Sequence, residues 1–543
     1  MGPRDAVRSP DADRKSGVEF GVRMRRVAAR PWGTISDGMR LTPDICQRAL
    51  RARDARFDGI FFVGITTTGI YCRPVCPSRS AIPTRRRFFE SAAEAEHAGY
   101  RPCLRCRPEL APGRAAMDAV PRLAQAAALR IAAGALNGHS LADLAHELGV
   151  SERHVRRALE REIGVSPIAL AQTHRLLLAK RLLADTDLPV TRIAFASGFQ
   201  SLRRFNAAFR EHYRLSPSAL RPRPVRPPPE TDLVRLTLAY RAPLAWNPLL
   251  AFLERSALPG VEVVQDGGYG RTIRLDGSSG VVFVSPAPEQ AHLRVDVSPS
   301  LLRVLMPLLV RLRHLFDLDA EPSVIDAHLS EGGLGALVRG TPGLRTPGAI
   351  DGFDAVLSTL LLGLGRSGAV PQESARRVVR AFGMATDSGF PGLSRIAPTA
   401  ERIAAAGAER LAELGVPSRR AAALVAVARA MVGGSLTLEP GSDPFAARRA
   451  LLALEGISER SATTIVMRAL YWPDAFPATD PALRRVIGVT SPAALRTRAE
   501  RWRPWRAYAA MHLQLVSEKE EGRWSTPALP TEAAAPLLPF QHQ

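Results

Sequence analysis

At 543 residues, 46% of them hydrophobic and 23% charged, the chain has material for about three or four domains of roughly 150 residues, which excludes wholesale disorder. No uncharged, proline-free apolar stretch reaches about 18 residues and the first forty residues carry no apolar leader run, so neither a membrane partner nor secretion is expected. The net charge of +21 is uneven: residues 1–225 hold 38 Lys plus Arg against 21 acidic residues, and residues 226–543 hold 35 against 31, so a polyanion, nucleic acid first, is the expected partner of the first part.

Residues 1–38 are polar, Arg-rich and aperiodic and read as a disordered extension, with Met39 as an alternative start. A helix is expected over 43–53, short strands over 59–65 and 87–89, and a helix over 91–98. Within 39–112, Cys72 and Cys76 lie four apart, Cys103 and Cys106 three apart, with Arg73, Arg79, Arg101, Arg105 and Arg107 around them; of these, Arg73 is expected to contact DNA. Two close cysteine pairs on a small domain suit one tetrahedral Zn²⁺ as Cys₄. The spacing fits a purely structural site as well as a reactive one. Cys46 stands outside the pattern and reads as a buried apolar cysteine.

The runs Thr67-Thr-Gly-Ile-Tyr-Cys-Arg-Pro-Val-Cys76 and Ala98-Gly-Tyr-Arg-Pro-Cys-Leu-Arg-Cys106 resemble the N-terminal domain of the Ada-type adaptive response regulators. That resemblance implies that Cys72 accepts a methyl group from a DNA methylphosphotriester and that Cys76, Cys103 and Cys106 complete the zinc shell. A zinc-bound thiol stays ionised, and the thiolate is the nucleophile that methyl transfer needs. The thioether product has no obvious leaving path, so each acceptor is expected to act once.

From 118 to 220 apolar residues recur at helical spacing. Ser140 to Leu159 contains Gly149 and then Ser151, and Pro189 to Phe209 contains Gly198, each the layout of a helix-turn-helix. A generic helical hairpin would explain one copy. Two copies flanking a long helix over 168–183, with Phe205 and Phe209 inward and the ending Ser216-Pro-Ser-Ala-Leu220, resemble the AraC-type DNA-binding domain (113–220). The resemblance implies two major-groove contacts on double-stranded promoter DNA, with Arg153, His154 and Arg157 on the first helix and Arg203, Arg204 and Asn206 on the second. RNA polymerase is the implied further partner, and the bacterial cytoplasm and nucleoid the implied location.

A Pro-rich linker follows at 221–231, then five expected strands at 234–240, 261–265, 271–275, 281–284 and 293–297 within a sheet subdomain (232–300), then helices across 301–520 and a frayed tail at 521–543. Leu454-Glu-Gly-Ile-Ser458 between two helical runs resembles a helix-hairpin-helix, in which Gly456 and Ser458 present backbone N–H groups to a DNA phosphate. Together with Ala475-Phe-Pro-Ala-Thr-Asp480 and Pro504-Trp-Arg-Ala-Tyr508, it resembles the DNA-3-methyladenine glycosylase II group, which implies that Asp480 assists loss of alkylated bases such as 3-methyladenine. An Asp before Pro is also an ordinary helix N-cap.

The chain departs from that group's usual Leu-Pro-Gly-Ile-Gly-x-Trp-Thr-Ala at Glu455, at Ser458, whose Cβ is expected to strain the turn, and at Ser461, near the place of the pocket Trp. Gly363-Leu364 stands where the group has a Gln pair, and Gln514 where a second aromatic wall is expected. A flipped base needs such walls to stack on. Two readings follow: an alkylation-damage regulator fused to an active glycosylase, or a sensor and regulator carrying a catalytically degenerate, DNA-binding glycosylase fold. The expected fold class is multidomain and mainly α with α+β parts. No Pro-Cys-His-Arg motif of an alkylguanine transferase occurs.

Overall fold

The computed structural model describes residues 42–78, 82–112, 122–221, 233–287, 291–363 and 369–522. The expected N-terminal extension, the body of the linker, the C-terminal tail, Arg79 and Leu364 lie outside them.

The first unit opens with α1 (Pro43–Ala52), started by the Thr42 hydroxyl and Pro43 at its first turn. Four strands follow: β1 (Phe62–Ile65), β2 (Ile70–Cys72), β3 (Arg86–Phe89) and β4 (Arg101–Pro102). They form a sheet in the order β3-β1-β2-β4, and α2 (Ala92–His97) lies between β3 and β4. The β1–β2 reversal uses Gly69 at φ +62°, a conformation costly to any residue with a Cβ. Gly64 faces Phe89 and Tyr100 so closely that a Cβ would sit 2.7 Å from both rings. The antiparallel β1–β2 pair and the parallel β2–β4 pair set the register on which the cysteines depend.

The second unit is helical: α3 (Arg122–Ala132), α4 (Leu141–Glu147), α5 (Glu152–Glu162), α6 (Pro167–Asp185), α7 (Val190–Ala196), α8 (Leu202–Tyr213) and α9 (Pro217–Leu220). Ser140 and Asp143 form a reciprocal capping box on α4. Ser151, Ser166 and Ser201 cap α5, α6 and α8 through side-chain oxygens. α6 runs 19 residues, two residues beyond the expected helix at its C-terminal end and one at its start.

The third unit begins with a five-stranded antiparallel sheet: β5 (Val234–Ala239), β6 (Glu262–Gln265), β7 (Gly268–Leu275), β8 (Ser278–Pro286) and β9 (His292–Val297), in the order β5-β9-β8-β7-β6. Between β5 and β6 the chain makes a helix, α10 (Trp246–Arg255), which period-2 reading passed over. Its apolar face packs with α7, α8 and the sheet in one continuous core containing Phe205, Phe209, Leu249, Val284 and Val295. A second core gathers part of the helical remainder around Leu360, Leu424, Leu451 and Ile465.

Among the described residues, polar contacts join the first two units at several points. The Lys180 ammonium on α6 and the Glu109 carboxylate pair with side chains only 2% exposed each; Arg107 Nη1 meets Asp185 Oδ1 at 2.7 Å. Lys180 Nζ also donates to the Cys103 carbonyl (3.4 Å). His212 Nε2 on α8 lies 2.9 Å from Glu96 Oε2. From the third unit, buried Arg241 donates to the carbonyl of Asp58 at 3.3 Å. Among the described residues, no helix is long and apolar enough to cross a membrane.

Candidate functional sites: a four-cysteine centre, two helix-turn-helix units and a hairpin carboxylate

The parallel pairing of β2 and β4 assembles the cysteine centre. Cys72 ends β2, and Cys103 N, just past β4, donates to Tyr71 O at 2.9 Å. A turn closed by Cys76 N to Arg73 O (3.1 Å) folds Cys76 back. Cys106 is held from the other side, its Sγ accepting from Arg73 N at 3.3 Å. The four sulfurs lie within 4.8 Å of one another, compatible with the roughly 3.8 Å spacing of a tetrahedral zinc thiolate shell.

Cys76, Cys103 and Cys106 are buried and Cys72 is only partly so. Hydrogen bonding with Cys103, then Cys106 and Cys76, together with burial, holds the Cys72 thiol far above the ordinary value. Four thiols this close cannot all ionise without a cation among them. The donor set and its crowding fit Zn²⁺. Cys46 is fully buried on α1, and burial first, then the Glu90 charge, pushes its thiol up to about 12; it is inert at neutral pH.

Arg73, expected to reach DNA, is turned inward. Its Nε donates to Asp58 Oδ1 at 2.8 Å, its Nη2 pairs with Asp58 Oδ2, and its Nη1 donates to the Cys106 carbonyl at 3.2 Å. Its guanidinium therefore buttresses the cysteine centre. Asp58 was not singled out from the sequence, because a lone acidic residue in a turn carries no signal there.

The helix-turn-helix residues stand as their helices require. Arg153, His154 and Arg157 are exposed on α5 while Val155 and Leu159 are fully buried. On α8, Arg203 and Arg204 are exposed and Asn206 half-buried, with Phe205 and Phe209 packed inside, Phe205 edge to face with Phe199 and tilted against Phe209. Gly149 (φ +66°) and Gly198 (φ +86°) make the two turns.

The hairpin joins α18 and α19, reached after α11 (Leu305–Leu315), α12 (Pro322–Leu329), α13 (Gly335–Gly340), α14 (Gly352–Leu357), α15 (Ala369–Phe382), α16 (Ala400–Glu413) and α17 (Ser418–Val432). α18 spans Pro444–Leu452 and α19 Glu459–Leu470; α20 (Pro481–Ile487), α21 (Pro492–Ala499) and α22 (Arg506–Glu520) follow. Gly456 takes φ +82°, and a Cβ there would sit 2.8 Å from the Arg419 carbonyl oxygen. Ser458 is not strained, contrary to expectation: at φ −84° it is the N-cap of α19, its hydroxyl accepting from Ser461 N at 3.0 Å. The group's second glycine is thus replaced by a capping serine at no backbone cost.

The pocket position also moves by one residue. Ser461 is engaged with Ser458, Oγ to Oγ at 2.9 Å, whereas Arg460, the seventh residue of the hairpin run counted from Leu454, reaches Asp480: Nη2 to Oδ2 is 2.9 Å, with side-chain exposures of 28% and 10%. Counting along the motif would have found it. Asp480 Oδ1 accepts from Ala482 N at 2.9 Å, so the carboxylate is also the N-cap of α20, ahead of Pro481. Gln514 is half-buried and donates along its own helix to Glu518 Oε1 (3.2 Å), so no aromatic wall stands there. Gly363 takes φ +75°. Of the glycosylase-like run near the end, Trp505 and Tyr508 are buried in the core with Leu329 and Leu513.

Residues 45–109 match the metal binding domain of Ada, residues 144–223 a helix-turn-helix domain, and residues 235–351 the AlkA N-terminal domain. The chain is 36% identical to the probable bifunctional transcriptional activator/DNA repair enzyme AlkA of Mycobacterium tuberculosis over 88% of its own length and 97% of that protein. It is 33% identical to DNA-3-methyladenine glycosylase 2 of Escherichia coli, over 51% of its length and 95% of that enzyme. It is likewise 33% identical to the Escherichia coli bifunctional transcriptional activator/DNA repair enzyme Ada, over 28% of its length and 42% of that protein.

Proposed function

The chain belongs to the family of the bifunctional transcriptional activator/DNA repair enzyme AlkA, and on that premise we propose that it repairs methylphosphotriesters through Cys72, activates transcription once methylated, and excises alkylated bases with Asp480. The observation that carries the reading is the gathering of four cysteine sulfurs within 4.8 Å of one another, with Cys72 half-buried and the other three cysteines buried. A methylphosphotriester has lost the charge that a thiolate would repel. The Cys72 sulfur attacks the methyl carbon, the methyl–oxygen bond breaks, and its electron pair returns to the phosphate oxygen, restoring the diester anion. Bound zinc supplies the charge that keeps the thiols ionised at neutral pH. Arg73 and Asp58 hold the loop on which Cys106 sits, and methylation removes one negative charge from a face turned to phosphates, which strengthens DNA binding.

In this reading Cys76, Cys103 and Cys106 are the remaining ligands, Arg153, His154, Arg157, Arg203, Arg204 and Asn206 face promoter DNA, and the hairpin at Gly456 and Ser458 meets a phosphate of damaged DNA. Asp480 stabilises the sugar cation left when the base departs and guides the incoming water. The domains divide at 39–112, 113–220, 232–300 and 301–520. RNA polymerase is the partner of the activated form, and the protein works at the nucleoid in the cytoplasm. A second reading treats residues 232–515 as a DNA-binding appendage without catalysis; Gln514, turned onto Glu518, favours it.

The test is to incubate the protein with duplex DNA carrying methylphosphotriesters and weigh its peptides. A single added methyl on the Cys72 peptide, with tighter promoter binding afterwards, is expected; no methyl, or a methyl on another cysteine, would contradict the assignment.

A further inference from the structure

The carboxylate at the hairpin does not stand alone. Asp480 Oδ1 is fixed by Ala482 N, and Oδ2 by the Arg460 guanidinium at 2.9 Å. Arg460 lies in the first turn of α19, two residues past the Ser458 cap, and its side chain is 28% exposed. The pair therefore stands at the mouth of the hairpin in partial contact with solvent, and its joint charge is near zero where an unpaired aspartate would present −1.

We propose that Arg460 is a specificity-determining residue, which shifts base excision away from positively charged lesions and toward uncharged ones. The inference rests on the reading of Asp480 as the base-excision carboxylate. A base alkylated on a ring nitrogen is already a cation, and the sugar it leaves becomes one. Both lose net attraction when a guanidinium sits on the carboxylate. An uncharged base behaves oppositely. As the C1′–N bond breaks, its electron pair moves onto the base and negative charge grows there, which the guanidinium offsets. Water then adds its oxygen to C1′, one proton is lost from that water, and the departing base takes up one proton, so the products are the free base and a C1′ hydroxyl. A tryptophan at position 460 would offer stacking area and no charge; arginine exchanges stacking for a charge preference. Cationic bases leave readily in any such site, so their release persists, and it is the ratio between lesion classes that moves.

The experiment uses the full chain, its Arg460→Gln and Arg460→Lys variants, and two duplex probes: one with a central pyrrolidine, which is protonated, and one with a neutral tetrahydrofuran at the same place. Arg460→Gln is expected to improve pyrrolidine binding relative to tetrahydrofuran by about tenfold, the size of one unit-charge contact across a partly wet site. Arg460→Lys should keep the wild-type ratio. In parallel, release of uncharged hypoxanthine relative to 3-methyladenine should fall about tenfold in Arg460→Gln. A probe ratio that stays within about twofold of wild type overturns the proposal. If neither base is released yet the probe ratio shifts, base excision is the reading that fails and the charge effect of Arg460 stands. If both bases are released and neither ratio moves, the Arg460 proposal fails alone.

Discussion

Replacing Glu109 by Gln should loosen the cysteine unit from the helical unit that it would switch. The Glu109 and Lys180 side chains are each only 2% exposed, so solvent offers almost no screening to the charge left behind. In Glu109→Gln the ammonium keeps neutral acceptors only, the amide oxygen of the new side chain and the Cys103 carbonyl at 3.4 Å, and loses its counter-charge, while Arg107 retains Asp185. Breaking a buried pair by removing one partner costs about 3–5 kcal/mol, which at about 1.4 kcal/mol per tenfold is at least a hundredfold shift toward opening. Lys180→Met should cost less, about 2 kcal/mol, because Arg107 Nε still donates to Glu109 at 3.1 Å. The double variant should cost less than Glu109→Gln alone, since no unpaired charge remains. Native-state hydrogen exchange, followed by mass spectrometry over 101–110 and α6, reads the opening directly. Protection in Glu109→Gln that stays within about threefold of wild type, or a double variant as open as that single one, would refute the reasoning.

Two further outcomes follow from the same physics. Burial pulls the His212 imidazole down, but the hydrogen bond and charge of Glu96 together outweigh it and leave it above its ordinary value; the contact therefore stabilises fully below about pH 6.5 and is lost as pH rises through the raised folded value. Exchange protection of α2 and α8 should fall as pH rises above about 6.5 in wild type and stay flat in His212→Gln. Gly456→Ala places a methyl 2.8 Å from the Arg419 carbonyl and 3.0 Å from Ala423 Cβ at a positive φ, so it should cost about 1–3 kcal/mol and weaken binding to undamaged duplex; binding as tight as wild type would show that the turn is not a phosphate contact.

The parts legible in the sequence are those written in periodic or punctuated form. Cys72, Cys76, Cys103 and Cys106 announce themselves by spacing, and the structure brings all four together. Gly149 and Gly198 mark turns because only a positive φ lets those helices meet. The five strands from Val234 to Val297 follow from β-branched runs between glycines, though β7 starts three residues and β8 three residues earlier than their apolar runs, since strand pairing extends past the residues that alternate. The helix Trp246–Arg255 was missed because its buried leucines lie in a short stretch flanked by prolines. The short pair Met384–Ala385 with Arg395–Ile396 has no pattern long enough to detect. What the sequence could not convey is partnership across distance. Arg73 reads as a surface base beside a reactive cysteine, yet Asp58, fifteen residues earlier, draws it inside. Arg460 reads as one more exposed arginine until α20 brings Asp480 to it.

The most direct test of the account is base release from methylated duplex DNA by wild type and Asp480→Asn. Asparagine preserves the cap on α20 at a cost of a few tenths of a kcal/mol and gives up the partly exposed bond to Arg460, for about 1 kcal/mol, so the variant should fold as wild type does. Its release of 3-methyladenine should fall by roughly a hundredfold or more, as the sugar cation loses its facing charge. Equal release by the two proteins would remove Asp480 from the chemistry, and no release by wild type would leave the sensor and activator without a glycosylase.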